Sequence, residues 1–436
     1  MHYSNALRSL ALRSLALLAI AFSVSSTQVL AQVDLLQEDE FALDSVAGLN
    51  TDAPVSHWSD GFVTSLEHSQ THIEEGRQYQ RSGARLQYDY AVAKGWYVSL
   101  DYQYRYYWPD DDQVRVNALT NASADDDGYT RGNWQQAWVQ YSQGACAYKL
   151  GKQTLIWGNV EGTFAVDVVT PFDYTEQLLT DYSSLRLAQT MAVADCFMPA
   201  FQAQVFYVPE ARQDIFSHGA QTFPAQQDEE YGGLVKFNWE GGDVSLMAAR
   251  LMPNQPTLTF NAFFQPQWQS PMFEFYGVSS SIAVSRLLLK MDLGFKLDQV
   301  VEYTNERHDV MEFAAGFEYT TASNHNINAG FWVIKDLEEG DSQSNLASSN
   351  ESRSQSPLYT FGWSKSYWND DLSMSLLGNI TTDPELYAVT LLAQYQYNDY
   401  WQYSAALGVS ELVGEVAQSF PVPPDESLTL QVKFQF

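Results

Sequence analysis

The chain has 436 residues, a formal net charge of −30, and 14% aromatic but only 17% charged residues. Soluble proteins carry about 25% charged residues, so this composition is unlike an ordinary soluble surface. The excess of acids excludes nucleic acid as a partner, because nucleic-acid binding needs Lys and Arg to neutralise phosphates.

The N-terminal segment has the features of a cleaved secretory signal. Arg8 and Arg13 precede an apolar run, and Val29 and Ala31 fit the small-residue rule for a cleavage site. The run is shorter than the roughly 20 residues of a spanning helix, and it lacks the polar face of an amphipathic anchor. We therefore expect residues 1–31 to be a signal peptide that directs export.

Beyond the signal, apolar and polar residues alternate in many short segments. Residues 84–92 and 96–106 are clear examples, joined by a link with the length of a tight hairpin turn. Because successive side chains of a strand point to opposite faces, each segment has one apolar and one polar face. This pattern predicts transmembrane β-strands, whose apolar band is built from alternate residues.

The alternation predicts about 18 strands. They lie near residues 61–72, 82–92, 96–106, 133–142, 146–157, 185–197, 200–208, 230–239, 243–252, 272–283, 287–298, 309–319, 326–335, 358–366, 372–380, 385–396, 401–410 and 427–436. Short links alternate with mostly long ones along the chain, as periplasmic turns alternate with outer loops in outer-membrane barrels. The turn predicted at residues 284–286 is the weak point of this alternation.

The predicted fold is all-β, a transmembrane antiparallel β-barrel of about 18 strands (16–18) with both termini in the periplasm. Residues 59–436 form the barrel, and residues 32–58 form a short periplasmic segment. A soluble β-sandwich would show similar alternation, but it would not need so many Tyr and Trp at strand ends. The terminal Phe434 and Phe436 then belong to the closing strand and act as an assembly signal.

Several charged residues fall on the polar parity of the first hairpin. Arg85, Asp89, Asp101 and Arg105 all face the lumen in this interpretation, and a turn centred on Lys94 sets Arg85 opposite Gln103. The lumen is therefore expected to be polar and of mixed charge, and the net charge of the chain does not fix its ion selectivity.

The two cysteines, Cys146 and Cys196, stand in a compartment where disulfides persist. If Trp157 lies opposite Leu185 in an antiparallel pair, the same register places the cysteines opposite each other at the periplasmic end, close enough for a disulfide. Two free buried thiols are the alternative.

One segment between a strand and a long loop carries a motif. Its residues are Gly151, Gln153, Trp157, Gly158, Glu161, Gly162, Asp167, Val168, Pro171, Asp173 and Glu176. They resemble the signature of a family of proteobacterial outer-membrane β-barrels of mostly unassigned function, distantly akin to the alginate-export porins, except that Thr170 stands where that family usually has Asn. Members often accompany exporters of the resistance-nodulation type, so the resemblance implies movement of a hydrophobic or large molecule across the outer membrane.

The same segment has a physical interpretation. Phe164, Val166, Val168 and Val169 would be poorly placed in water, so we expect the segment to fold inward as a constriction loop. Packing against neighbouring loops is the equally weighted alternative.

No motif points to catalysis, a cofactor or a metal ion. His68 and His72 lie roughly 13 Å apart on a strand, too far to chelate one ion. An outer-membrane hydrolase with a Ser–His pair on the wall is the enzyme alternative, although no sequence feature identifies such a pair.

We expect a passive porin-like channel, or the outer-membrane component of an export pathway, for a hydrophobic or large polar solute. A structural or surface-binding barrel sealed by its own loops is the alternative. The expected partners are outer-membrane lipid and lipopolysaccharide, the barrel-assembly machinery and a resistance-nodulation-type exporter.

Overall fold

The computed structural model describes most of the predicted barrel. The described residues are 61–73, 78–108, 129–174, 185–216, 228–260, 266–300, 306–337, 355–382, 385–413 and 426–436. The expected signal peptide and periplasmic segment, residues 1–58, lie outside them, and so does Glu176. No helix among the described residues is long and apolar enough to cross a membrane.

The wall is an 18-stranded sheet, and each of its strands pairs with its two neighbours in sequence. In chain order the strands are β1 Phe62–Ile73, β2 Gln78–Ala93, β3 Trp96–Tyr107, β4 Tyr129–Gln143, β5 Cys146–Gln153, β6 Gln189–Phe197, β7 Gln202–Val208, β8 Glu230–Trp239, β9 Gly242–Leu251, β10 Phe273–Val284, β11 Leu287–Val300, β12 Arg307–Thr320, β13 Asn326–Asp336, β14 Gln355–Tyr367, β15 Leu372–Thr382, β16 Glu385–Gln396, β17 Trp401–Val413 and β18 Glu426–Gln435.

The last strand closes the barrel onto the first. β18 pairs antiparallel with β1, and the backbones of Phe436 and Thr64 exchange two hydrogen bonds of 2.9 Å. The predicted fold class, an antiparallel β-barrel of 18 strands, is confirmed. Closure matters because an open edge strand would leave its backbone groups without partners in a membrane.

The two ends of the barrel differ in their connections. Short turns join each even-numbered strand to the strand that follows it, from β2–β3 to β16–β17. All these turns lie at the end of the barrel where β1 begins and β18 ends. We call this the turn end and the opposite one the loop end. The turn at residues 284–286 is a tight hairpin in which Val284 pairs with Leu287 and Ser285 has φ of 60°. The alternation of short turns and loops predicted from the sequence is therefore present in the structure, including at residues 284–286.

The alternation sorts the side chains between two faces. Outward residues include exposed apolar and aromatic side chains such as Leu66, Leu150, Val205 and Tyr276. Inward residues of the same strands are mainly polar, for example Ser65, Gln153 and Ser245. Because the period of a strand is two, each strand contributes to both faces.

The disulfide prediction is confirmed. Cys146 and Cys196 are directly paired between β5 and β6, and their sulfurs are bonded. Both lie at the turn end, in the register expected from the sequence.

Four strand limits differ from the prediction by four residues. β5 ends at Gln153 and not at Trp157, β6 begins at Gln189 and not at residue 185, β2 begins at Gln78 and not at residue 82, and β4 begins at Tyr129 and not at residue 133. The first two differences have one cause. The apolar residues that the prediction placed in β5 after Gln153 pack inside the barrel, as described below, and do not belong to the wall.

Replacing Phe436 with Ser should lower the amount of heat-modifiable barrel in the membrane and leave export intact. Its ring is 60% exposed and contacts Phe434 with a centroid distance of 5.5 Å, so little packing energy is lost in the folded barrel. The amount of folded barrel is measured from the gel mobility of unheated membrane samples. Normal assembly of the variant would show that the terminal ring does not act as a signal.

Candidate functional site

The chain leaves the wall at the end of β5 and enters the barrel. We call residues 154–174, which connect β5 towards β6, the inner loop. Gly151 has φ of 138° near the exit point, and the buried side chain of Gln153 donates a hydrogen bond of 3.1 Å to the carbonyl of Met191 on β6. This hydrogen bond fixes the point from which the inner loop starts.

A buried threonine ties the two limbs of the inner loop together. The Thr170 hydroxyl accepts a hydrogen bond from the Leu155 amide at 2.8 Å and lies 2.7 Å from the Leu155 carbonyl, to which it donates. Thr170 is the position where the motif departs from the family signature. In this chain the hydroxyl satisfies both backbone groups of Leu155, which a loop inside a barrel cannot leave to water.

Trp157 anchors the outgoing limb in an apolar cluster inside the barrel. Its ring packs edge-on against Phe206 of β7 and stacks near Phe275 of β10, with centroid distances of 5.4 and 6.3 Å. Its indole nitrogen donates to Gln204 at 2.9 Å, so its polar group is satisfied. The cluster also includes the following residues of the inner loop: Leu155, Val166, Val168 and Val169.

The tip of the inner loop binds to a carboxylate of the wall. The amides of Asn159 and Val160 donate to Asp292 of β11 at 3.0 and 2.9 Å, and Ser279 of β10 donates to the same carboxylate at 2.5 Å. Gly158 has φ of 101°, and a Cβ there would lie 3.0 Å from an Asp292 oxygen. A residue with a side chain would therefore be strained and crowded at this point.

A second ionic contact lies beside the tip. Lys290 of β11 forms ion pairs with Glu161 of the inner loop and with Glu318 of β12. Burial raises the pKa of Glu161 to about 7, its hydrogen bond with Glu318 adds to this, and Lys290 opposes it. Gly162 follows with φ of 71° and lies over Thr360 of β14.

The tip of the inner loop packs closely on small residues of the wall. Val160 and Ala165 form a buried cluster with Ala314 of β12. A Cβ on Gly294 would lie 2.1 Å from the carbonyl oxygen of Ala165, and one on Gly330 would lie 3.4 Å from Val160. The backbone of the inner loop therefore approaches the wall more closely than any larger residue at position 294 would allow.

The returning limb is held by charged residues. Asp167 and Arg186 form a buried ion pair of 2.6 Å, and the Arg186 guanidinium lies 4.7 Å from the centre of the Phe172 ring. The carbonyl of Pro171 accepts a hydrogen bond from the Leu187 amide, and Asp173 pairs with Arg131 of β4.

Two other loop segments pack on the returning limb at the loop end. Asp214 accepts a hydrogen bond of 2.7 Å from the Phe172 amide, and its own amide donates to the Asn254 carbonyl at 2.9 Å. Residues Asp173–Tyr174 and Ile215–Phe216 form a short parallel pair. The inner loop thus packs both on the wall and on neighbouring loops, so both interpretations of its apolar residues apply to the structure.

The four lumen charges named from the sequence lie on the opposite side of the barrel from the tip. Arg85 pairs in register with Gln103, as the hairpin geometry predicts, and its guanidinium binds Asp101 with hydrogen bonds of 2.5 to 3.0 Å. Arg105 donates to Gln103 at 2.6 Å, and Asp89 is exposed nearer the turn end.

The most important wall contacts of the inner loop are residues that the motif does not contain. Asp292 and Lys290 lie inside a predicted strand and belong to no motif, and Asp214 lies in a loop without a recognisable pattern. One signal was available: Lys290 and Asp292 share the inward parity of Gly294, and glycine inside a strand marks a close backbone approach.

Within the described ranges, no group of three or more His, Cys, Asp or Glu side chains could hold a metal ion. His68 instead contacts the Ser82 hydroxyl at 2.9 Å.

Comparisons with known proteins identify the fold. No family model matches the sequence, and no curated protein is similar to it, so the family resemblance drawn from the motif stays a prediction. The structure is similar to OccAB2 of Acinetobacter baumannii, with a TM-score of 0.54, 9% identity, and coverage of 86% of this chain and 98% of that chain. It is also similar to OpdK of Pseudomonas aeruginosa crystallised with vanillate, with a TM-score of 0.53, 10% identity, and coverage of 86% and 98%. The chain therefore has the fold of the 18-stranded outer-membrane porins.

The Asp214 contact should make the packing of the loops depend on pH. Burial raises the pKa of Asp214 from 3.8 to about 7, so the packed loops bind the proton more tightly than released loops do. The stabilisation is thus present at low pH and is lost as pH rises towards 7, and packing should weaken by about 1.4 kcal/mol between pH 6 and pH 8. Hydrogen exchange of residues 209–216 measures it.

Asp214→Asn is the control for this prediction. Asn keeps an acceptor for the Phe172 amide and has no proton to lose, so the exchange of residues 209–216 should lose most of its pH dependence beyond the intrinsic chemical effect. Equal pH dependence in the variant and the wild type would assign the effect to another group, such as Glu161.

Proposed function

We propose that the protein is a passive outer-membrane channel of the porin type, in which the inner loop sets the constriction. The observation that carries this proposal is the one-sided position of the loop. Residues 154–172 contact the wall from β6 to β14, from Met191 and Phe206 to Trp332 and Thr360, and Asp173 adds a contact with Arg131 of β4. The described residues of the loop therefore lie along one side of the lumen. We call the opposite side, formed by β15–β18 and β1–β3, the free side.

The remaining strands present polar groups to the lumen. Their buried inward residues include Ser65, Ser69, Thr71, Arg81, Ser99, Asp101, Gln103, Arg105, Ser375, Ser404, Ser410, Thr429 and Gln431. Such a surface favours water and polar solutes, since polar groups lose hydrogen bonds when they face an apolar solute. Of the two solute classes expected from the sequence, the large polar one fits this side better than the hydrophobic one.

One arginine of the free side favours a solute with acceptor groups, because the Arg85 side chain keeps 17% of its surface exposed beside its partner Asp101, whereas Arg81 and Arg105 are buried. Arg81, Arg85 and Arg105 lie along β2 and β3 on the free side, and Arg131 on β4 marks the point where the returning limb meets it. OpdK, which shares the fold, was crystallised with vanillate, an aromatic carboxylate, and vanillate is therefore a suitable first test solute. The export role and the partnership with a resistance-nodulation-type exporter rest on the motif alone.

The sealed barrel is the second candidate function. The observation that favours it is the extent of packing at the loop end, where three loop segments meet around Phe172 and Asp214. A sealed barrel and an open one differ in a single property, which is conductance. The hydrolase alternative requires a Ser–His pair on the wall. His68 and Ser82 form such a contact at 2.9 Å, but they share the outward parity of Leu66, and the Trp108 indole nitrogen donates to the same hydroxyl, so this contact does not face the lumen.

Single-channel recording in planar bilayers tests the proposal. The wild-type barrel should conduct, and Arg85→Glu should shift its selectivity towards cations, because the side chain is part of the free side and 17% exposed. The shift should shrink at high salt, since exposed charges are screened over about 8 Å at physiological ionic strength. The reversal potential in a salt gradient measures it.

Lys152→Glu is the matched control. It makes the same change in charge, but Lys152 shares the outward parity of Leu150, so selectivity should stay that of the wild type. A silent wild-type barrel would favour the sealed alternative. An unchanged reversal potential in Arg85→Glu would remove this arginine from the conduction path.

A further inference from the structure

The outward face carries one cation that stands apart from the others. Among the described strands, Lys152, Arg250, Arg307 and Lys335 have outward parity and lie at or next to the loop ends of β5, β9, β12 and β13. Lys365 of β14 also has outward parity, but it lies close to the turn end. It is the single outward cation in the turn-end half of these strands.

Lys365 forms a cluster with two ring systems. Its ammonium nitrogen lies 3.0 Å from Nε2 of His325, which is the last residue of the turn between β12 and β13. The indole nitrogen of Trp363 donates to Nδ1 of the same imidazole at 3.0 Å. The imidazole, from the turn that precedes β13, therefore lies between a tryptophan and a lysine of the adjacent strand β14.

This cluster has two hydrogen-bond donors that face each other without an acceptor between them. Because Trp363 donates to Nδ1, a neutral imidazole carries its proton on Nε2. Burial and the neighbouring Lys365 lower the pKa of His325, so the ring is neutral at pH 7. An N–H group and an ammonium group then face each other at 3.0 Å, and both are donors. Among the described residues, Lys365 has no carboxylate partner.

The surroundings of the cluster are those of a membrane interface. The Lys365 ammonium lies 5.1 Å from the centre of the Tyr367 ring, and Trp368 in the adjoining turn is 67% exposed. Towards the middle of the barrel the outward neighbours are apolar, with Ile327 and Leu376 on either side of Trp363, and Met374 lies opposite Lys365 at its own level. A polar head at the level of Lys365 would thus continue into an apolar chain over Ile327 and Leu376.

We propose that Lys365 and His325, with Trp363 fixing the imidazole, bind the phosphodiester of a phospholipid headgroup in the leaflet at the turn end. An anionic oxygen between the two donors would accept from both and remove their repulsion. A phosphodiester supplies that oxygen on a molecule whose acyl chains cover the apolar residues beside the cluster. The inference rests on the proposed membrane location of the barrel and does not depend on whether the lumen conducts.

Native mass spectrometry of the detergent-purified full barrel tests the site. The probes are short-chain phosphatidylglycerol, the corresponding diacylglycerol without phosphate, and inorganic phosphate as a competitor. The wild type should retain phosphatidylglycerol and not diacylglycerol, and inorganic phosphate should not displace it, because the acyl chains add to binding. Lys365→Gln should weaken retention about tenfold, the value of one charge-assisted hydrogen bond.

Lys335→Gln is the matched control, since it removes an outward cation from the adjacent strand at the other end of the barrel. Its retention of phosphatidylglycerol should equal that of the wild type. Equal retention in the wild type and Lys365→Gln, with both barrels heat-modifiable, would overturn the site. Displacement by inorganic phosphate alone would overturn the assignment to a lipid.

Conductance of the same preparations separates this inference from the channel proposal. A conducting barrel whose lipid retention ignores Lys365 contradicts the lipid site alone. A silent barrel whose retention falls in Lys365→Gln supports the lipid site and contradicts the channel alone.

Discussion

The arrangement of the lumen depends on the hydrogen bonds that Asp292 accepts from the tip of the inner loop. A chain segment that enters a barrel carries backbone amides with it, and each buried amide without a partner costs about 1 to 3 kcal/mol. Asp292 satisfies the amides of Asn159 and Val160 in succession, at a point where Gly158 lets the chain turn. The side of the wall that holds Asp292 thereby decides which side of the lumen the loop occupies.

The rest of the site follows from that contact. Once the tip is fixed on β11, the apolar residues of the outgoing limb can pack with Trp157 against β7 and β10, and the returning limb reaches Arg186 and Arg131. Glycine at position 294 is required because the carbonyl of Ala165 lies where a Cβ would be. The hydrogen bonds to Asp292, the apolar cluster around Trp157 and the close packing on small wall residues all act on the same short segment. Together they make the position of the inner loop specific.

Much of the wall could be predicted from the sequence because its period is two and its turns are short. The position of one turn is enough to pair Arg85 with Gln103. The position of one strand end is enough to pair Cys146 with Cys196. The exit of the chain after Gln153 could not be predicted in the same way. Leu155 and Trp157 have the inward parity of Gln153, and Ile156 has the outward parity, so the segment is apolar on both parities. Such a segment fits a wall strand and a loop packed inside the barrel equally well. The contacts of Asp292 and Asp214 with the loop could not be predicted from the sequence, because their partner amides lie 132 and 42 residues away.

The central claim is that the inner loop is docked on one wall while the other side of the lumen conducts. Val160→Cys combined with Gly330→Cys tests it most directly, since a Cβ at position 330 would lie 3.4 Å from the Val160 side chain, within the reach of a disulfide. After mild oxidation, the two introduced cysteines should cross-link, and the cross-linked barrel should keep the single-channel conductance of its reduced form. Absence of the cross-link, or loss of conductance when it forms, would contradict the account.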